Sequence, residues 1–149
     1  MSLSTRRPSP IRCEVWGIAS PPQQDRTRVV VVDDHPDTAH VMALALKIEG
    51  FEVTTALDGT TGMLRVAQDE PDVVLLDITL PDMSGVDVAR HIREVTSRNI
   101  AIIAVTSLGF ERDRETYRLA GFDAFCMKPV EMPELVRLIN RVTGKTPAH

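Results

Sequence analysis

The sequence predicts an α/β protein built on a doubly wound, five-stranded parallel sheet with helices on both faces. Three observations support this fold class. Short apolar runs occur five times after residue 27, several of them rich in β-branched residues, and such runs are typical of strands buried on both faces. A segment with the apolar spacing of a helix follows each run. The connections between these segments are short, which places the strands side by side in one parallel sheet.

The first strand–helix unit begins with RVVVVD at residues 28–33, where four consecutive valines favour a strand. The helix predicted at 36–50 has a proline in its first turn and ends on a glycine, as helices commonly do. Apolar side chains repeat at helical spacing within it, namely Val41, Leu44, Ala45 and Ile48. The second unit combines a strand at 51–56 (FEVTTA) with a weaker helix at 58–70.

The three remaining units follow the same pattern. Their strands are predicted at 72–77 (DVVLLD), 100–106 (IAIIAVT) and 123–127 (DAFCM), and their helices at 84–95, 109–120 and 132–142. The helix at 84–95 begins at Ser84, and Asp87 three residues later completes an N-terminal capping arrangement. Apart from the alternation itself, the sequence shows no internal repeat.

The chain divides into three parts: an extension or linker at 1–27, one domain at 28–143 and a short tail at 144–149. The first 28 residues hold four of the ten prolines and five arginines, a composition typical of a linker. Within this segment, CEVWGIA at 13–19 is apolar enough to dock as a strand, and the sequence leaves open whether it does so.

Charge and hydropathy exclude several classes of function. The first 28 residues carry a charge of +3, which leaves −7 for the rest of a chain whose total is −4. An acidic main body argues against direct binding of nucleic acid. No apolar run approaches the ~18 residues of a membrane span, and no signal-peptide core is visible. We therefore expect a soluble, cytoplasmic protein.

The two cysteines, Cys13 and Cys126, lie far apart in the sequence. Neither has the spacing of a metal site. This usage favours a reducing compartment over a scaffold of disulfides.

Polar side chains stand at the carboxyl ends of the predicted strands. The first strand ends at Asp33 and Asp34, the third at Asp77, the fourth at Thr106, and the fifth is followed by Lys128. In a doubly wound sheet these ends meet at one cleft, where ligands bind. Grouped carboxylates form the oxygen-rich, negatively charged setting that Mg²⁺ prefers. The sequence therefore predicts a magnesium site. The residues alone also allow simpler interpretations: the paired aspartates could cap the first helix, and Lys128 could be a solvated surface lysine.

Over residues 28–143 the sequence resembles the receiver domain of two-component response regulators. Four segments carry the resemblance, each at the end of its own strand: VVVVDD (29–34), VVLLDITLPDMSG (73–85), IIAVTS (102–107) and GFDAFCMKPV (121–130). Any one of them is weak alone, but all four in this order are highly specific. The resemblance implies a flavodoxin-like sheet with the strand order 2-1-3-4-5.

The resemblance also implies a role for each strand-end residue. Asp77 would accept a phosphoryl group from a phosphohistidine on a histidine kinase or a histidine phosphotransfer protein. Mg²⁺ would be held by Asp33, Asp34, Asp77 and the backbone carbonyl of Thr79. Thr106 would donate its hydroxyl to a phosphoryl oxygen, and Lys128 would pair with the phosphoryl charge. These are the cations and donors that a transferring phosphoryl group requires.

The output implied by the resemblance is a change of surface. Thr106 would move toward the phosphoryl group, and Phe125 would rotate as the aromatic switch, although Phe125 could also be a plain core residue. The fourth helix, fifth strand and fifth helix, residues 109–142, would then bind an effector or a second copy of the domain. The chain would be either a single-domain regulator or the receiver end of a longer protein such as a hybrid sensor kinase.

A competing hypothesis is a Mg²⁺-dependent phosphohydrolase that forms an aspartyl phosphate, similar to the haloacid-dehalogenase-like group. Enzymes of that group usually carry a second acid two residues after the nucleophile. Here that position is Thr79, which speaks against turnover. We therefore expect a phosphoacceptor with at most slow autodephosphorylation, not an enzyme.

Overall fold

A six-stranded sheet forms the centre of the molecule in the computed structural model. The structure describes residues 13–17, 26–96, 99–107 and 110–144, and for residues 110–113 it describes the backbone only. The strands are β1 (Cys13–Val15), β2 (Arg28–Val32), β3 (Glu52–Ala56), β4 (Val73–Asp77), β5 (Ala101–Thr106) and β6 (Ala124–Met127). The helices are α1 (Pro36–Ile48), α2 (Gly59–Asp69), α3 (Gly85–Val95), α4 (Phe110–Ala120) and α5 (Met132–Thr143). Every strand and helix predicted after residue 27 is present, with small shifts at the ends.

The five parallel strands lie in the order β3-β2-β4-β5-β6. This arrangement confirms the predicted order 2-1-3-4-5, counted from the first parallel strand. The prediction of five strands was incomplete, because β1 adds a sixth. It pairs antiparallel with β6, with Cys13 opposite Cys126 and Val15 opposite Ala124. A strand of three residues is too short to show a periodic pattern, and its pairing depends on the edge that β6 offers.

The sheet separates two hydrophobic cores. Alternate residues of each central strand point to opposite faces, so that Leu75 enters one core and Leu76 the other. Helices α1 and α5 cover the first face, where Leu46 and Leu135 are fully buried. Helices α2, α3 and α4 cover the second face, where Ile92 and Phe125 are buried. Burial on both faces explains why the central strands β2, β4 and β5 consist of continuous apolar runs.

Helix α1 presents a different face to the core from the one that its large apolar residues suggest. The buried residues are Ala39, Ala43 and Leu46. Val41, Leu44 and Ile48, which the sequence singled out, are 64%, 47% and 85% exposed. The two alanines let the helix approach the sheet closely, and one leucine fills the remaining space. The larger side chains therefore form an apolar surface on the outside of α1.

Side chains cap two of the helices. Ser84 Oγ accepts a hydrogen bond from the Val86 amide at 3.1 Å, which confirms Ser84 as the N-cap of α3. Asp58 Oδ1 accepts one from the Thr61 amide at 2.7 Å at the start of α2. Helix α1 begins after His35 without a side-chain cap. The paired aspartates before His35 therefore do not cap α1 and remain available for other roles.

Most of the predicted extension lies outside the described residues, as do residues 145–149 of the predicted tail. The division of the chain at residues 27 and 143 thus remains a prediction. The described part of the 13–19 segment, residues 13–17, does dock on the domain, through β1 and the adjoining Trp16 and Gly17. Among the described residues, no helix has the length and apolar character needed to cross a membrane.

The orientation of α1 can be tested with two leucines of the same helix. Leu46→Ala should lower the free energy of unfolding by about 2–5 kcal/mol, because it leaves a cavity beneath a fully buried side chain. Leu44→Ala, its matched control on the exposed face, should change it by no more than about 0.5 kcal/mol. Urea unfolding measures both. Equal losses would show that α1 is rotated relative to the sheet.

Candidate functional site

The candidate site lies at the carboxyl edge of the parallel strands. Asp77 is the last residue of β4 and Thr106 the last of β5. Asp33 follows β2 directly, and Lys128 follows β6. The register places these four positions at one edge, since Asp77 pairs with Val105 and Thr106 with Met127. The predicted convergence of strand ends is therefore present in the fold.

Lys128 connects two of the carboxylates. Its Nζ lies 3.1 Å from Oδ2 of Asp77 and 3.3 Å from Oδ2 of Asp33. Burial of the ammonium would by itself lower the pKa of Lys128, but the hydrogen bond and charge of Asp77, together with those of Asp33, outweigh it and raise the pKa above its ordinary value. Lys128 is thus fully charged at neutral pH, and it is not a solvated surface lysine.

The backbone holds Lys128 in place. Its amide donates to the carbonyl of Thr106 at 2.8 Å, which ties the end of β6 to the end of β5. The peptide bond that follows, to Pro129, is cis.

Asp33 and Asp34 differ in their surroundings. Asp33 is buried, and its Oδ1 accepts a hydrogen bond from the His35 amide at 3.0 Å while its Oδ2 faces Lys128. The Asp34 side chain is 32% exposed, yet its Oδ1 atom is buried and, within the described part of the chain, accepts no hydrogen bond. His35 Nδ1 lies 3.1 Å from that oxygen but forms its hydrogen bond with Asp33 Oδ1 instead. A buried carboxylate oxygen without a donor is costly unless a cation completes it.

Asp77 is buried and held by the loop that follows it. The Thr79 amide donates to Asp77 Oδ1 at 3.0 Å, and Thr79 forms an isolated bridge with Ser84. Gly85 closes this loop with its amide on the Ile78 carbonyl at 2.8 Å. A Cβ at position 85 would lie 2.4 Å from the Asp77 carbonyl oxygen, so the tight approach requires glycine. The loop leaves Asp77 Oδ2 directed at Lys128.

The carboxylates of Asp33, Asp34 and Asp77 form one cluster. Each of these carboxylates, and the imidazole of His35, offers one ligand atom, and these four atoms all lie within 4.8 Å of one another. Oxygen donors at this spacing fit a hard divalent cation, and the undonated Asp34 oxygen supports the same conclusion. The residues present therefore fit a magnesium ion.

The two predicted switch residues are both buried. Thr106 is 7% exposed and lies beside the strand that carries Asp77, while Phe125 is 1% exposed. The ring of Phe125 packs against Trp16, with centroids 5.7 Å apart, and the guanidinium of Arg114 lies 6.0 Å from its centroid. Phe125 is therefore a core residue that also touches the N-terminal segment and α4.

The predicted site leaves out two residues that shape it. His35 contacts both neighbouring aspartates, although its position directly after them was a visible signal. Asp82, inside the LPDMSG segment, reaches across to the start of α2, where it accepts hydrogen bonds from the Gly59 amide at 2.8 Å and the Thr60 amide at 2.9 Å. Nothing local in the sequence marks that long-range contact.

The chain matches the response regulator receiver domain family over residues 29–140. It is 38% identical over 121 residues to the probable transcriptional regulatory protein TcrX of Mycobacterium tuberculosis, covering 79% of this chain and 51% of TcrX. It is 36% identical over 111 residues to the DNA-binding response regulator MtrA of Mycolicibacterium smegmatis, covering 74% of this chain and 48% of MtrA. The chain thus spans about half the length of these relatives.

Solved structures share the fold. The receiver domain of the sensor histidine kinase PA1611 from Pseudomonas aeruginosa, solved with a magnesium ion in its active-site cleft, has a TM-score of 0.72 and 29% identity. That match covers 80% of this chain and 99% of the PA1611 domain. A CheY-like receiver domain from Methanospirillum hungatei has a TM-score of 0.73 and 28% identity, covering 78% of this chain and 92% of its own.

The contact of Asp82 with α2 predicts a pH dependence of stability. The hydroxyl of Thr60 and the amides of Gly59 and Thr60 lower the pKa of Asp82 from 3.8 to about 2. Because the folded pKa is depressed, the contribution of this carboxylate is present above pH 3.8 and is lost as the pH falls toward 2. The Asp82→Asn variant should therefore have a lower free energy of unfolding than the parent at neutral pH. On acidification its free energy of unfolding should fall by less than that of the parent. Urea unfolding from pH 5 downward measures this difference, and parallel curves for the two proteins would contradict it.

Proposed function

This chain belongs to the response regulator receiver domain family, whose members accept phosphoryl groups in two-component systems, and we propose that Asp77 is its phosphoacceptor. One observation carries the assignment. Asp77 is a buried carboxylate with one oxygen held by the Thr79 amide and the other facing the Lys128 ammonium. This arrangement orients a nucleophile and supplies a cation where phosphoryl charge would develop.

The proposed transfer forms one bond and breaks one. A carboxylate oxygen of Asp77 attacks the phosphorus of a phosphohistidine on the donor protein, and a carboxyl–phosphate anhydride bond forms. The phosphorus–nitrogen bond breaks, and the donor imidazole keeps the bonding electron pair. Lys128 shifts its pairing from the carboxylates to the phosphoryl oxygens, and the hydroxyl of Thr106 donates to one of them. The chain acts as an acceptor, since Thr79 offers no carboxylate to activate water at the position that a phosphohydrolase would use.

We propose Mg²⁺ as the cation of the acidic cluster. Asp33, Asp34 and Asp77 would hold it, with the Thr79 carbonyl as a further ligand, and the PA1611 receiver domain provides a precedent for magnesium in such a cleft. When bound, the ion would neutralise part of the phosphoryl charge and of the carboxylate charge. Asp34 is the strongest ligand candidate, because its buried Oδ1 accepts no hydrogen bond from the described residues.

The exposed apolar surface of α1 suits the phosphodonor. Val41 and Met42 line a groove of about 420 Å³ that also includes Lys128 and Pro129. A donor protein must bring its phosphohistidine to Asp77 and so must cover the surface beside Lys128. We propose that a histidine kinase or a histidine phosphotransfer protein docks there through an apolar helix, in the cytoplasm where such partners act. Exposed side chains as large as Val41 and Ile48 are explained by such a partner.

The proposed output passes through Thr106 and Phe125. Thr106 moves toward the phosphoryl group, which frees space for the buried ring of Phe125 and repacks the surface of α4, β6 and α5. A local charge that biases two packing arrangements is what a molecular switch requires. An effector protein or a second copy of the domain would bind this surface.

Acetyl phosphate tests the acceptor assignment. The parent should be labelled once, as measured by intact mass, and only with Mg²⁺ present. Asp77→Asn should remove the label, because an amide does not attack phosphorus, and Asp34→Ala should reduce Mg²⁺ affinity and labelling at limiting Mg²⁺. Asp87→Asn, on the exposed first turn of α3, is the matched control and should label like the parent. A label that persists in Asp77→Asn would rule out Asp77 as the acceptor.

Thr106 variants test the output. Beryllofluoride, which mimics a bound phosphoryl group, should change hydrogen exchange across 110–142 in the parent and in Thr106→Ser, which keeps the hydroxyl. Thr106→Ala should still label with acetyl phosphate, but its exchange across 110–142 should stay unchanged because the coupling donor is lost. Exchange that changes only around Asp77 in the parent would mean that this surface is not the output.

A further inference from the structure

The N-terminal strand brings the two cysteines of the chain together. Cys13 of β1 is the direct register partner of Cys126 of β6. Their Sγ atoms lie 3.2 Å apart and share a hydrogen bond, although 113 positions separate them in sequence. Both residues pack in the core between the sheet and α1 and α5. The pairing is thus a product of the fold and not of sequence proximity.

The strand register makes this pair suitable for a covalent link. The Trp16 and Gly17 amides donate to the Asp123 carbonyl, and the antiparallel register places Cys13 directly opposite Cys126. Residues directly opposite each other in an antiparallel pair have Cα atoms about 4.5–5.5 Å apart. Disulfides span Cα distances of about 4.4–6.8 Å, so the register permits the link.

We propose that Cys13 and Cys126 are a redox modification site that forms an intramolecular disulfide and so fixes β1 on the edge of the sheet. The oxidant is a low-molecular-weight disulfide such as glutathione disulfide. The Cys13 thiolate attacks one sulfur of the oxidant, and one glutathione leaves. The Cys126 thiolate then attacks Cys13 Sγ, and the second glutathione leaves. The protein gives up two electrons and two protons, and the oxidant becomes two glutathione thiols.

Access determines the order of these steps. Cys13 is half-buried on a short edge strand, whereas Cys126 is buried in the strand behind it. The oxidant therefore meets Cys13 first, and Cys126 acts as the resolving thiol. In a reducing compartment such a bond is transient and reports oxidising conditions.

The link would act on the proposed switch. Trp16 packs on Phe125, and Glu14 pairs with Arg114, whose guanidinium also lies against the Phe125 ring. Fixing β1 therefore holds two groups against the ring that must rotate. This consequence rests on the proposed function, because it assumes that Phe125 moves on phosphorylation. Oxidation would then oppose the output of the domain.

The disulfide is tested first, on the full chain in glutathione buffers. Oxidised protein should lose the mass of two hydrogen atoms, and a non-reduced digest should contain one peptide pair that links Cys13 to Cys126. Amide exchange at residues 14–16 should slow at least about tenfold, because β1 can no longer detach. Cys13→Ser is the control and should show neither change. Two titratable thiols in the oxidising buffer, a link between two chains, or unchanged exchange at 14–16 would overturn the proposal.

Trp16 is the only tryptophan of the chain, so its fluorescence tests the link to the switch. Beryllofluoride should change the Trp16 emission in the reduced protein and in Cys13→Ser, and this change should be lost in the oxidised parent. An equal response in the oxidised parent would overturn the control of output by the disulfide. No response in any reduced protein would overturn the proposed movement of Phe125, whereas the mass measurement would still establish or exclude the disulfide.

Discussion

The balance of charge at the carboxyl edge of the sheet is the constraint on which the rest of the site depends. Asp33 and Asp77 are buried within reach of one ammonium, that of Lys128. Two like charges about 4 Å apart repel by roughly 4 kcal/mol at an effective dielectric of about 20, so these positions require compensation. With Asp34 included, the cluster holds three carboxylates, of which Lys128 pairs with two. The proposed divalent cation would offset the remaining negative charge, and the phosphoryl group proposed for Asp77 would add to the charge that must be offset.

The backbone around this cluster is built to keep the acidic groups close. Gly85 allows the loop after β4 to fold back on the Asp77 carbonyl, and Asp82 anchors the same loop to the start of α2. The Lys128 amide is held by the Thr106 carbonyl, so the cation is placed by the same strand pair that carries the proposed coupling hydroxyl. Lys128, which would bind the phosphoryl group, and Thr106, which would couple its binding to the output surface, are therefore joined by one backbone hydrogen bond.

Local patterns in the sequence were sufficient to predict the parallel sheet and the convergence of polar strand ends at its edge. The β-branched runs identify strands that are buried on both faces, and a strand end is a fixed point from which polar residues such as Asp77 can be placed. The prediction of the buried face of α1 was wrong for a physical reason. The large apolar residues Val41 and Ile48 suggest the core face, but the small residues Ala39 and Ala43 are the ones that permit close contact with the sheet. The pairing of β1 with β6 and the reach of Asp82 to α2 join distant segments, and no local period records such contacts.

The position of β1 has a consequence for how copies of the protein behave toward one another. Without β1, the side of β6 would present unpaired amides and carbonyls, which can template the addition of a strand from another molecule. A three-residue strand that carries Glu14 replaces this edge with a short and charged one. The opposite edge, β3, carries the exposed Glu52, which pairs with Arg28 of the neighbouring strand. Both margins of the sheet thus discourage intermolecular β-pairing, and the N-terminal segment contributes to colloidal stability as well as to the fold.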